Sequence, residues 1–138
     1  MALNIGLERE GIRPFELERE NRIDLEDDGY YWFLFPHFED LANETGQMID
    51  LYNGAVFESA TLAAFRAMIE RAKGAVRTMP DCWNVQTGSE IGSYLEPKEP
   101  TPVFSAVEKG ALIQLLDRFA ELVDTAISTK GRIRCLGD

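Results

Sequence analysis

The single histidine of this chain, His37, has two acids close behind it, Glu39 and Asp40. On a helix, positions 37 and 40 share a face. The imidazole and carboxylate there could work as a base and its orienting partner, or as two ligands of a metal ion. A catalytic zinc takes three protein ligands, and a triad adds an activated nucleophile. Neither is legible around His37, and a histidine carried on a helix surface is the plainer alternative. Asp50 and Tyr52 lie beside Asn53-Gly54. With His37 they define one candidate pocket, for a small enzyme or a ligand-binding protein. The alternative for Asp50 is structural, because an Asp before a turn accepts hydrogen bonds from the turn's own N–H groups.

A second concentration of chemistry is DLEDDGYYWFLF, residues 24–35, where four carboxylates adjoin five aromatic residues. Asp24, Glu26, Asp27 and Asp28 are hard-cation ligands by type. An EF-hand loop started at Asp24 would have Gly29 at its sixth position, but Phe35 stands where the bidentate Glu is required at the twelfth. Calcium binding of that kind is not expected. Paired carboxylates for glycoside hydrolysis are selected by distance in space, and with 24 acids in the chain no pair stands out. Neither GxGxxG nor GxxxxGK[ST] is present, so no phosphate-cradling loop is indicated. The expectation is a protein without catalytic residues, cofactor or metal.

The charge balance says more. The net charge is −10, and residues 1–50 hold 13 acids against 4 bases, a net of −9. A nucleic-acid binder needs clustered Lys and Arg, and an anionic membrane surface would repel this chain. The excess favours a basic protein partner, whose encounter it would accelerate at low salt. Solubility alone is the simpler use of such a surface.

These residues need elements to position them. Leu3, Ile5 and Leu7 alternate with smaller or polar residues, as in a strand. Over residues 15–26 the alternation resumes, with Phe15, Leu17, Ile23 and Leu25 on one face. Glu16, Glu18, Glu20, Asp24 and Glu26 take the other. Either one long strand or a hairpin turning near Asn21 fits, and both are wet on one side. After the break at Asp27-Asp28-Gly29, Trp32, Phe35, Phe38, Leu41 and Ala42 recur at helical spacing. Pro36 belongs in a first turn, so Tyr30–Phe33 read as the lead-in, 34–44 as the helix, and Thr45-Gly46 as its end. Asn53-Gly54 between short apolar stretches predicts a hairpin.

Ser59 or Thr61 can cap a helix whose stripe is Leu62, Phe65, Ile69 and Ala72. Then CWNVQTG and IGSYLEP read as paired strands around Gly88-Ser89. Residues 97–102, PKEPTP, read as a rigid loop, and PVFSAV as a further short strand. The strongest helix runs from about Glu108 to Thr129, with Leu112, Leu115, Leu116, Phe119, Leu122, Val123 and Ala126 on one side. Lys130-Gly131 stops it, and residues 132–136 form a last strand. The fold class expected is α+β: a mainly antiparallel sheet with two to three helices packed on one face, and residues 1–138 making a single domain.

Cys82 and Cys135 are far apart in no CxxC pattern, and both read as small buried hydrophobes. The opening MALNIGLEREG has neither the basic region nor the apolar core of a signal peptide. No apolar run approaches the roughly 20 residues that span a bilayer. A cytoplasmic location is the expectation.

Three strings, TGQMIDLYNGAVF (45–57), LAAFRAMIERA (62–72) and ALIQLLDRFAELVDTAISTKGRIRCLGD (111–138), set a layout that resembles small acidic bacterial proteins of uncharacterised or immunity type, the latter paired with polymorphic or contact-dependent toxins. The resemblance covers about two thirds of the chain in order and does not extend to the N-terminus. It implies tight binding to one toxin and occlusion of its active or substrate surface. Nuclease toxins are basic because their substrate is a polyanion, so their inhibitors tend to be acidic. The residues expected to meet such a toxin domain come from the charge pattern: Glu16, Glu18, Glu20, Asp24, Glu26, Asp27 and Asp28, with Tyr30 or Tyr31 as aromatic anchors. The chain is expected to be a monomer or weak homodimer. A structural or assembly subunit is a further alternative, and it would require an exposed aromatic patch.

Overall fold

Alternating side chains make four of the strands, and one face of each is dry. In the computed structural model, which describes residues 2–9, 22–90, 92, 94–95 and 99–137, β1 (Ala2–Glu8) pairs antiparallel with β2 (Arg22–Glu26) and with β6 (Arg132–Leu136). β6 pairs on its other side with β3 (Gly54–Glu58), so the strand order is β2-β1-β6-β3. The register sets rows across the sheet. Ile23, Ile5, Cys135 and Ala55 form one buried row, and Leu7, Ile133 and Phe57 form another. The opposite face is wet and charged. Its rows include Glu8, Arg132 and Glu58.

Three helices cover the dry face: α1 (Gly29–Thr45), α2 (Ala60–Arg77) and α3 (Lys109–Ser128). The stripes of α2 and α3 are buried as their spacing predicts, apart from Leu115, which is half-buried, and Phe57, Phe65 and Phe119 stack in sequence through the core. A separate hairpin, β4 (Cys82–Glu90) with β5 (Thr101–Glu108), stands on α1. Its base joins the core through Val107 and through Trp83 against Phe33, ring centroids 5.2 Å apart. The fold is α+β with mainly antiparallel sheet. Among the described residues no helix is long and apolar enough to cross a membrane.

Several local expectations give way to tertiary structure. Helix α1 begins at Gly29, five residues before the expected start, because the Asp28 carboxylate caps it by accepting from the N–H groups of Tyr30 (3.0 Å) and Tyr31 (3.4 Å). Pro36 therefore lies inside the helix, not in its first turn. It is exposed, so the Trp32 carbonyl that it cannot serve lies on the solvent side. The buried stripe is Tyr31, Leu34, Phe38 and Leu41, and Trp32 and Phe35 are only half-buried. A run apolar on every side does not define its own phase.

Asn53-Gly54 does not turn a hairpin. The Asp50 carboxylate accepts from the Tyr52 N–H at 2.8 Å and from Asn53 Nδ2 at 3.0 Å, which makes a local bend. β3 then takes β6 as its partner. Likewise β4 pairs with residues 101–108, not with IGSYLEP. Ser59 holds the cap position of α2 without a side-chain bond, while the Thr61 hydroxyl closes the corner by bonding both the N–H and the carbonyl of Glu58. Cys135 is buried, its thiol pushed up to about 12 by burial, but Cys82 is exposed on the outer face of β4. The strand-or-hairpin alternative over residues 15–21 lies outside the described residues.

On the wet face, Arg134 Nε donates to Glu8 Oε2 at 2.7 Å, and Arg132 forms a second ion pair with Glu8. The Arg134 hydrogen bond is the main cause holding the Glu8 carboxyl below the usual carboxylate value, against the opposing effect of burial. A carboxyl lowered on folding stabilises the native state above its unfolded pKa and loses that contribution as pH falls through its folded one. Denaturant titrations at neutral pH and near pH 3 should therefore show Glu8→Gln less stable than the parent at neutrality. The gap should narrow in acid.

Candidate functional site

The segment that carries both the acids and the aromatics is divided by one residue. Gly29 begins α1 tightly against the hairpin: a Cβ there would lie 2.7 Å from Val107 Cγ2 and 2.9 Å from the Ser105 carbonyl oxygen. Before Gly29 the chain shows charge, and after it the chain buries rings. The nine residues expected to meet a partner fall accordingly. Glu16, Glu18 and Glu20 lie outside the described residues. Asp24 is exposed and pairs with Arg22 at 3.1 Å on the same strand. Glu26 is exposed at the end of β2.

Asp27 and Asp28 hold local structure. Asp27 Oδ1 accepts from the Trp32 indole N–H at 2.6 Å, and Asp28 is the helix cap. Tyr30 is half-buried and its hydroxyl accepts from the Glu108 N–H at 3.2 Å, tying α1 to the end of β5. Tyr31 is buried, with its hydroxyl donating to the Ile49 carbonyl at 3.0 Å. Burial pushes its phenol up to about 12, and the Asp50 carboxylate adds to the shift. Its ring is not presented to solvent as an anchor.

The candidate pocket is divided between two faces. Asp50 and Tyr52 lie near the Tyr31 hydroxyl. His37, six residues further along α1, points about 120° away. Its neighbours are the Phe33 ring, Asp40 and Arg71 of α2. Burial lowers the His37 imidazole below its usual value, Asp40 opposes this, and Arg71 reinforces it. Among the described residues no three His, Cys, Asp or Glu side chains converge as metal ligands would.

What the structure adds is a set of acids on the second half of α1. Glu39, Asp40 and Glu44 are exposed, and none has an ion-pair partner among the described residues. Ion pairs among the described residues lie elsewhere: Arg22 with Asp24, Arg66 with Glu70 and Asp124, Lys73 with Asp117, Arg132 with Glu8 and Glu58, and Arg134 with Glu8. Asp40 and Glu44 are like charges at i, i+4, and Glu44 sits in the last turn, at the negative end of the helix dipole. Both placements are unfavourable by tenths of a kcal/mol. The signal was available in the sequence: between Arg22 and Arg66 there are nine acids and no Lys or Arg. Glu26 and Asp27 lie at the other end of α1, roughly 20 Å from Asp40 along its axis. The chain matches no family model, and no curated protein or solved structure shows significant similarity to it.

Two variants test the scaffold role of Asp28 and Tyr31. Asp28→Ala should lower stability by about 1 kcal/mol through loss of the cap, as measured by denaturant unfolding. Tyr31 stabilises the fold fully below its unfolded pKa near 10, and that contribution is lost as pH rises toward about 12. A spectrophotometric titration should show a phenol step near pH 12 that Tyr31→Phe lacks.

Proposed function

We propose that this chain is an acidic binding protein that neutralises a basic protein partner by occlusion, and that it is an immunity protein of a bacterial toxin acting in the cytoplasm. The observation that carries the reading is the set of exposed carboxylates Glu39, Asp40 and Glu44, which have no ion-pair partner among the described residues. Asp40 and Glu44 repel one another at i, i+4, and Glu44, in the last turn of α1, also meets the negative end of the helix dipole. Glu26 and Asp24 extend the negative surface at the opposite end of α1. A basic partner relieves the repulsion on binding, and its guanidinium or ammonium groups supply the ion pairs that Glu39, Asp40 and Glu44 do not have among the described residues. A toxin domain whose substrate is a polyanion offers such groups at its substrate surface, so binding there excludes the substrate without any chemistry by this chain.

The test is capture from the native host with the product of the adjacent gene included, followed by binding kinetics on the recovered partner. The association rate should fall steeply with salt. Glu39→Gln/Asp40→Asn/Glu44→Gln should slow association by roughly tenfold at low salt and change dissociation little. Recovery of no basic protein, or an association rate indifferent to both salt and these substitutions, would overturn the reading.

A further inference from the structure

Among the described residues six large apolar side chains are exposed, and four of them belong to the β4–β5 hairpin or to the segment joining its strands. They are Tyr94 (98%), Leu95 (87%), Phe104 (57%) and Val103 (44%). The hairpin is seated on the body at its base, through Trp83 on Phe33 and through Val107 and Ser105 on Gly29. Beyond that seat the register slips between Gln86 and Gly88, a bulge that leaves Thr87 without a register partner. The bulge is pinned from within the hairpin. The Thr87 hydroxyl donates to the Val103 carbonyl at 3.4 Å, and Gln86 Nε2 donates to the Gly88 carbonyl at 3.3 Å. By alternation Val103 shares the face of Val107, and Phe104 shares the opposite face with Ala106. Both faces of the projecting arm thus show apolar groups to solvent.

Taking this chain as the binding protein proposed above, we infer that the projecting end of the hairpin inserts into the substrate cleft of the basic partner, with Tyr94, Leu95, Val103 and Phe104 as its apolar anchors. Shape and charge select that occupant. An arm that is apolar on both faces buries both only in a concave site, whereas a flat surface leaves one in water. A second copy of this chain and an anionic membrane surface are each repelled by a net charge of −10, and a basic protein is drawn to it. The end of the arm carries a share of that charge. Residues 90–100 hold three Glu against one Lys, while 82–89 and 101–107 hold no charged side chain. A cleft that takes a polyanion is lined with cations, and it is complementary to an arm with carboxylates and a tyrosine at its end.

The arm and the acids of α1 then have different work. Long-range attraction to the carboxylates speeds the encounter and is screened by salt. Aromatic and aliphatic anchors act on dissociation, because they contribute only once water has been excluded around them. The pinned bulge lowers the ordering cost of insertion, since the arm holds its shape before the partner arrives.

Binding kinetics of the whole chain on the basic protein it recovers from its host provide the test. Tyr94→Ala/Leu95→Ala should speed dissociation by roughly tenfold or more and change association little, the converse of the α1 substitutions. Both positions lie between the strands, so the unfolding midpoint should match the parent's, which separates a lost contact from a lost fold. Phe104→Ala should act in the same direction. A photo-crosslinker in place of Tyr94 should attach to residues lining the cleft in which the partner binds its own substrate. A partner whose association depends on salt but whose dissociation neither variant changes would overturn the insertion and leave the proposed function standing. Cross-links from position 94 to a second copy of this chain, to lipid, or to the partner outside its cleft would do the same. Recovery of no basic protein would overturn both.

Discussion

The strand β6 lies between β1 and β3, so the last ordered element of the chain supplies the middle of the sheet. Ile133 faces Leu7 on one side and Phe57 on the other, and Cys135 faces Ile5 and Ala55. Without β6, β1 and β2 form a hairpin-like pair whose dry face has no continuation, and β3 has no partner at all. Burying Ile133 alone contributes about 1.5–3 kcal/mol. The geometric role is larger, because β6 brings the helices to one face. It also closes the wet face through Arg132 and Arg134, whose pairing with Glu8 joins residues up to 126 apart in sequence. Contacts of such separation slow folding as a class, and the whole sheet depends on this non-local pairing.

Helix α1 is the second organising element, because it has work on two sides. Tyr31, Leu34, Phe38 and Leu41 face the main core, and Phe33 faces Trp83 of the hairpin. The Trp83 indole N–H has no acceptor among the described residues, so ring packing is what seats it. The remaining face carries the acids that have no ion-pair partner among the described residues. One helix thus joins the sheet and the hairpin and displays the negative surface. Its N-terminal acids are consumed in building it, since Asp28 caps it and Asp27 holds Trp32, while its C-terminal acids are left to solvent. The segment 24–35 therefore contributes scaffold more than display, and the display lies further along the same helix.

Much of this was legible in the residues. Period-two alternation at Leu3, Ile5 and Leu7 and at Ile133 and Cys135, and the helical stripes of α2 and α3, determined element types and the α+β class. Each of these patterns buries one side of one element, a local property that spacing records. The concentration of acids was equally a property of the chain, although their division into caps and free carboxylates was not. Tertiary structure alone decided the phase of α1, the partner of β3 and the partner of β4. An aromatic run is apolar at every angle, and a strand's pattern states which face is dry but not which strand lies beside it. It likewise decided that Tyr31 is buried and Cys82 exposed, and that His37 is turned away from Asp50 and Tyr52. Distances between elements are set by packing, and no spacing along the chain encodes them.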